Sequence, residues 1–407
     1  MTANPPTFGA QDDHLGVGRG PRVALVAIGI GRTQRGYERF FGDLYGVLRG
    51  QMDVTLFGSG GPAGTGGQTP RFLGPLTRLA RVLPLGAIAG GSEYRHYRHD
   101  CLAYGLGLLP TLARGGYDVV HLIDYPLGRV MAHLRRTSAL RAGVIYTNGC
   151  CVPPELCPRA DRIHHVAKAH HDAALAAGVE PAHLTLVPCG IHSRRFRMPL
   201  VRRQLRLKPG IAQSTFVVLA VTAVKRMHKR VDHLIEEVSR LEGDVLLWID
   251  GHPEDPRIPA LAGRRMGSRV RITHVPSETV PELYNLSDVL VHGALEEAFG
   301  LSIVEAMSAG LPVLVHDSPH FEWLVGDDQC LVDMRTRGLL GRRLREMMAQ
   351  GEAPQRLAAA RAQRTIERFD WSALTGQYVR MYNAVAEQTA GRRASGRRRV
   401  GAAEGSI

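Results

Sequence analysis

The chain has 407 residues, 44% hydrophobic and 22% charged, with a formal net charge of +13. That length exceeds what one hydrophobic core usually serves and predicts two domains. The composition is that of a globular protein too large to need disulfide staples, and no apolar run reaches the ~20 residues that cross a bilayer.

Residues 1–20 are polar, carry Asp12 and Asp13, and lack the apolar core of a signal peptide, so a disordered extension and a cytoplasmic protein are expected. Residues 22–29 predict a first strand, followed by a loop punctuated by Gly29, Gly31 and Gly36, an amphipathic helix over 38–48 and a second strand over 53–57. Gly29-Ile-Gly31 starts like a dinucleotide fingerprint, but Gln34 stands where its third glycine belongs, which argues against a nicotinamide cofactor. Residues 58–67 are Gly-rich and too irregular for a phosphate fingerprint. Strands are predicted over 117–123, 142–147 and 183–187, and the basic, Pro-containing stretch 194–210 reads as a hinge.

The second half restarts with a buried strand over 215–222, a helix over 231–241 and strands over 244–250 and 269–275. A short helix over 280–286, a strand over 288–292, a helix over 303–309 and a strand over 313–316 follow. Strands alternating with helices predict an α/β protein with parallel sheets, and two such halves meet at a cleft facing the carboxyl ends of their strands. The domains are expected at 21–195 and 196–369, with a helix over 370–388 returning to complete the first and a disordered basic tail over 389–407. The six cysteines contain no Cys-x-x-Cys, and Cys157 followed by His164, His165, His170 and His171 fits no common structural zinc spacing, so no metal or other cofactor is expected.

Two stretches carry chemistry. Glu297 and Glu305 stand eight residues apart in Glu-Ala-Phe-Gly-Leu-Ser-Ile-Val-Glu, between a strand and an apolar helix that stops at Gly310. The backbone N–H groups of Phe299, Gly300 and Leu301 are expected to be free at that helix start, where partial positive charge favours an anion such as phosphate. Glu305, about one turn in, is placed to accept hydrogen bonds from a diol such as a ribose. The other stretch, Val224-Lys225-Arg226-Met227-His228-Lys229-Arg230, puts four cations after a buried strand.

The first stretch resembles the Glu-x7-Glu motif of retaining glycosyltransferases of family 4, which bind a nucleotide-sugar in a two-domain GT-B fold. The resemblance runs from about residue 22 to 388 and implies two Rossmann-like domains facing a cleft. It implies that Lys229 faces the donor diphosphate, with Lys225, or else Arg226, as the second cation. It also brings the Gly31 loop to the diphosphate from the other side. Arg35-Gly36-Tyr37-Glu38-Arg39 is similar to the family's Gly-Gly-x-Glu-Arg, with Arg35 in place of the first glycine. His121 is implied as a contact to the transferring sugar, acting with Lys229 and Glu297, and Asp124 and Tyr125 as acceptor-side residues. Residues 187–196 resemble a Pro-x-Gly-Val-Asp-x-x-x-Phe stretch in which His192 replaces the Asp. Residues 318–325 would pack near the donor.

The chain has no Asp-x-Asp for a metal, so fixed cations and helix-start amides would stabilise the leaving nucleoside diphosphate. The implied reaction is metal-independent transfer of a sugar from a nucleotide-sugar to a hydroxyl acceptor, with retention. A nucleotide-sugar epimerase and a non-catalytic sugar-binding relative stay open. Five arginines within 391–400 suggest peripheral contact with an anionic membrane surface, and no specific nucleic-acid partner is expected.

Overall fold

The structure, a computed structural model, describes residues 20–31, 36–59, 92–198 and 202–404. The first domain alternates β1 (Val23–Val26), α1 (Gly36–Leu48), β2 (Val54–Phe57), α2 (Ser92–Gly115), β3 (Val119–Leu122), α3 (Tyr125–Arg136), β4 (Gly143–Asn148), β5 (Arg162–His165), α4 (Lys168–Ala176) and β6 (Leu184–Leu186). Its strands pair in parallel in the order β2-β1-β3-β4-β5-β6. Short apolar runs such as Val-Ala-Leu-Val suit this arrangement, because helices cover both faces of a parallel sheet and every position of β1 is buried.

The second domain opens with α5 (Arg202–Leu207) and continues through β7 (Phe216–Val221), α6 (Val231–Ser239), β8 (Val245–Asp250), α7 (Arg257–Met266), β9 (Val270–Thr273), α8 (Val280–Leu286) and β10 (Val289–Val291). It ends with α9 (Leu301–Ser308), β11 (Val313–His316), α10 (Pro319–Val325), β12 (Leu331–Val332), α11 (Leu339–Ala349) and α12 (Ala353–Phe369). The sheet order is β12-β11-β10-β7-β8-β9, again all parallel. Strand order therefore reverses between β1 and β3 in the first sheet and between β7 and β10 in the second. Ligands of open α/β sheets bind outside the carboxyl ends of strands at such reversals.

One apolar core runs through both domains, joining Phe40 and Phe41 of α1 to Phe196, Tyr284, Phe299, Phe369 and Trp371. The chain crosses between domains twice, at 191–193 and 369–371, and the crossings pair: Ile191 N–H donates to the Phe369 carbonyl at 2.8 Å and Trp371 N–H to the Ile191 carbonyl at 3.1 Å. Asp370 locks the joint by accepting from the Ser193 N–H at 3.0 Å and the Ser193 hydroxyl at 2.6 Å. Gly190 has to be glycine here, since a Cβ would lie 2.3 Å from the Trp371 indole.

Two expectations change. The hinge does not extend to residue 210: Arg206 of α5 is buried and ties α5 to the second domain, donating to Asp288 Oδ2 at 2.6 Å and to the Leu286 and Thr215 carbonyls at 2.9 Å. A basic stretch looked solvated in sequence, yet one of its arginines has every polar neighbour it needs inside. The returning helix, α13 (Trp371–Glu404), does not stop at 388. Thr389 is buried, with its hydroxyl 2.5 Å from where a Cβ on Gly143 would sit, and Arg392 reaches Asp161 at 2.8 Å. Alanine and arginine favour helix and no proline intervenes, so the helix continues past its last apolar turn.

Candidate active site

In the second domain the site begins beyond β7. Thr222 N–H donates to the Asp250 carbonyl at 2.8 Å, and Val224 pairs with Pro253, so the chain leaves β7 still held to the β8 side. It then turns sharply, with His228 and Arg230 at φ of 72° and 49°. Such left-handed backbone is rare outside glycine and is held here by tertiary contacts, including Arg230 Nη1 donating to the Met334 carbonyl at 2.9 Å. The turn delivers Lys229, whose ammonium donates to Glu297 Oε2. His292, just past β10, meets the same oxygen through Nε2 at 3.0 Å. Burial alone would push the Glu297 carboxyl up. The His292 hydrogen bond and the Lys229 charge outweigh it and hold the carboxyl well below the usual range, so Glu297 is ionised.

Next comes the start of α9. Gly300 caps it at φ 102°, a left-handed conformation that admits glycine readily, and the space beside it is filled by Ile303 and Leu324. The Phe299 ring is buried against Trp323 and Phe369, and its carbonyl is 3.1 Å from His320 Nε2. The N–H groups of Phe299, Gly300 and Leu301 find no acceptor among the described residues, as expected at a helix start. Glu305, one turn in, is 2% exposed and does not face open space. It accepts from Tyr284 Oη at 2.8 Å and is paired with Arg39 of the first domain at 2.7 Å. Burial raises its carboxyl above the ordinary range, and Arg39 and Tyr284 pull the other way.

The first domain meets this start with one of its own. Gly36, the first residue of α1, lies so that a Cβ on it would be 3.7 Å from the Leu301 side chain, the first residue of α9. Two helix N-termini thus face each other at the two strand reversals, with Arg39 and Glu305 closing the gap one turn deeper. The loop before α1 carries Gly31 at φ 80°; its continuation through Arg35 lies outside the described residues, as does most of the Gly-rich loop over 58–67. Glu38 fills the place a Gly29 side chain would take, since a Cβ there would be 1.8 Å from its Oε1.

The structure places several of the expected site residues away from open space. His121 is fully buried. It sits in a directional chain: His164 Nε2 donates to the Val187 carbonyl at 2.8 Å, leaving Nδ1 to accept from the Thr147 hydroxyl at 2.8 Å. Thr147 accepts in turn from His121 Nε2 at 2.6 Å, and His121 Nδ1 accepts from Tyr382 Oη at 2.8 Å. Burial holds both imidazoles neutral, His164 at about 4. In sequence, a histidine ending an apolar strand looks the same whether it faces a cleft or, as here, a core lined by Phe41 and Tyr382.

Asp124 is likewise buried. Its carboxylate accepts from the Ile28 N–H at 2.9 Å and Tyr97 Oη at 2.6 Å, stapling the β1 loop to the end of β3. Tyr125 Oη donates to the Leu156 carbonyl at 3.2 Å. Lys225 does not join Lys229; its ammonium is 2.8 Å from Glu254, and Arg226 pairs with Asp232 at 3.4 Å. Within α10, His320 rather than the exposed Glu322 faces the site, and His192 stands 3.8 Å from Asp43. Among the described residues no group of three or more His, Cys, Asp or Glu is placed to hold a metal ion.

Sequence reasoning missed four participants. Arg39 lay inside a motif already quoted, yet its partner is contributed by the other domain. Tyr284 and His292 complete the two glutamates' hydrogen bonding, and no spacing marks them. His170 of α4 reaches across to the Glu297 carbonyl at 3.2 Å and approaches His320 with ring centroids 5.9 Å apart.

Known proteins resemble this architecture over most of the chain. Sucrose-phosphate synthase from Thermosynechococcus elongatus superposes with a TM-score of 0.74 at 18% identity, covering 89% of this chain and 98% of that one. Anabaena HepE, solved with UDP and glucose, superposes at 0.71, again at 18% identity, over 89% of this chain and 99% of that one. This is the GT-B fold. Residues 201–364, most of the second domain, match the family described as glycosyl transferases group 1. In sequence, lipopolysaccharide glucosyltransferase WaaG of Escherichia coli is 28% identical over 44% of this chain and 50% of its own length. A D-inositol 3-phosphate glycosyltransferase of Mycobacterium marinum is 26% identical over 77% of this chain and 74% of its own. The chain therefore spans half the length of the first of these relatives and about three quarters of the second. No helix among the described residues is long and apolar enough to cross a membrane.

Proposed function

We propose that the chain is a retaining glycosyltransferase that moves a sugar from a nucleoside-diphosphate sugar to a hydroxyl acceptor without a metal ion. The observation that carries this reading is the pair of helix starts facing each other across the cleft, Gly36 against Leu301, with the Lys229 ammonium beside them. The unpaired N–H groups of Phe299, Gly300 and Leu301 and the aligned peptide dipoles of the two helices make that junction a place for a diphosphate. The UDP held by the structural neighbour HepE supports a nucleotide in the same role.

In this reading the donor diphosphate lies between the two helix starts. Lys229 then opposes the charge that develops on the leaving phosphate, and the α9 amides share it; fixed donors aimed at developing charge act most strongly where water is excluded. Glu297, already ionised and oriented by His292, keeps Lys229 in place and lies where a sugar hydroxyl can meet it. Glu305 takes the ribose once Arg39 yields its place, so donor binding is coupled to a shift between the domains. Lys229 and the α9 amides supply what the reading of Lys225 as second cation had assigned to a charge pair.

The test is calorimetry of the purified protein with UDP, GDP and ADP in excess chelator, followed by NMR of the anomeric product formed from the donor that binds. Affinity for one nucleoside diphosphate that survives chelation, with retained anomeric configuration, is expected. No binding of any of the three, or binding only with magnesium, refutes the metal-free reading.

A further inference from the structure

The second domain holds a cavity of about 230 Å³ well away from the cleft. It opens where Pro312 and Val313 enter β11, at the amino end of that strand, whereas the donor cleft lies at the carboxyl ends. Its floor is apolar, made by Met307 at the far end of α9, Leu314, Val325 and Met347. Its rim is cationic: Arg361, Arg364 and Arg368 line it from α12 and Arg343 from α11. Spacings of three and four residues place the α12 arginines on one helical face, beside the buried face formed by Ala362, Thr365 and Phe369.

Three of these arginines are already held. Arg361 is paired with Asp327, Arg343 Nη1 is 3.0 Å from Glu346, and Arg368 Nη2 donates to the Trp323 carbonyl at 2.7 Å. Arg364 is exposed and has no hydrogen-bond or ion-pair partner among the described residues. Four arginines against Asp327 and Glu346 leave an excess of positive charge around an apolar hollow. An apolar hollow favours a hydrocarbon group, and an unpaired guanidinium at its mouth favours a carboxylate or phosphate.

We infer that this cavity is a second binding site, for a small anionic amphiphile. The apolar part would enter the hollow and the anionic head would pair with Arg364. A hollow of about 230 Å³ has room for an apolar part the size of a short alkyl chain or a single ring.

Octyl phosphate is the probe, titrated calorimetrically into the full-length protein, with inorganic phosphate and octanol as separate controls. Octyl phosphate is expected to bind at least about tenfold more tightly than either control, because each control lacks half of the recognised chemistry. Arg364→Ala is expected to weaken it about tenfold or more, Arg364→Lys to restore part of the loss, and Ala358→Leu, at a residue that lines the hollow, to abolish binding. Circular dichroism checks that each variant is folded. Octyl phosphate binding no better than inorganic phosphate overturns the inference, as does equal binding by folded Arg364→Ala and Ala358→Leu proteins. Displacement of octyl phosphate by a nucleoside diphosphate also overturns it, since that places the probe in the donor cleft.

Discussion

Glu305→Gln tests the coupling between nucleotide binding and domain contact most directly. The wild-type carboxylate accepts from Tyr284 Oη at 2.8 Å and is paired with Arg39 at 2.7 Å. An amide of the same shape keeps one accepting oxygen but turns an NH2 towards the other donor. Charge-assisted bonds contribute about 1.5–3 kcal/mol and neutral ones about 0.5–1.5, so the change costs on the order of 1–2 kcal/mol at each contact. The Arg39 side chain is 28% exposed and recovers some hydration, which puts the loss of stability near ~2 kcal/mol. In the nucleotide complex the same carboxylate is proposed to accept from the ribose. The loss there is again on the order of 1–2 kcal/mol, or about five- to thirtyfold in affinity. Calorimetry of wild type and Glu305→Gln should give the same factor for a nucleoside and its diphosphate, because the ribose is common to both, and no change for inorganic pyrophosphate. An unchanged nucleoside affinity, or an equal loss for pyrophosphate, refutes a ribose contact at Glu305.

Lys229→Ala should show the complementary pattern: nucleoside affinity kept, diphosphate affinity reduced, and kcat lowered about a hundredfold, with a melting temperature that moves far less than the rate. Acidification should destabilise the first domain through its buried histidines. Unfolded imidazoles titrate near ~6.5, while burial holds His164 at about 4 and His165 at about 3. The stability they confer is therefore complete above pH ~6.5 and lost as pH falls through 4 towards 3, and Thr147→Val, which breaks the chain between His121 and His164, should lower the melting temperature at neutral pH. Gly190→Ala should destabilise strongly, because its methyl would lie 2.3 Å from the Trp371 indole at the inter-domain joint; an unchanged melting curve would mean the joint can shift. Deleting 393–407 should leave melting nearly unchanged, whereas deletion from 389 should lower it by removing buried Thr389 and the Arg392–Asp161 pair.

The inner parallel strands were legible because both of their faces are buried. Runs such as Phe216–Val221 are apolar at every position, bounded by loops, and followed by amphipathic helices. The same logic failed at α5, where the burying residue is Arg206. A charged side chain reads as solvent-facing unless its partners are known, and these come from Asp288 and carbonyls up to 82 residues away. It failed again at 389–404, where local propensity and contacts with the first domain carry the helix past the last apolar repeat.

The candidate site was legible where backbone geometry makes it. A glycine before an apolar helix after a buried strand gives free amides whatever surrounds them, so Phe299, Gly300 and Leu301 could be read from order alone. Side-chain roles could not be read that way, because a polar residue at the end of a strand is equally suited to touching a ligand and to holding two loops together. Asp124 has its carboxylate taken up by the Ile28 N–H and Tyr97, and both His121 nitrogens are satisfied by Thr147 and Tyr382. Each is spent on the scaffold. Glu297 differs: Lys229 and His292 converge on one of its oxygens, while the other has only a 3.3 Å contact from the Ala298 N–H. A half-buried ionised carboxylate with that much unused accepting capacity, beside unpaired helix amides, is what the proposed sugar contact requires. That leftover capacity, rather than the identity of the residue, separates Glu297 from Asp124 and His121.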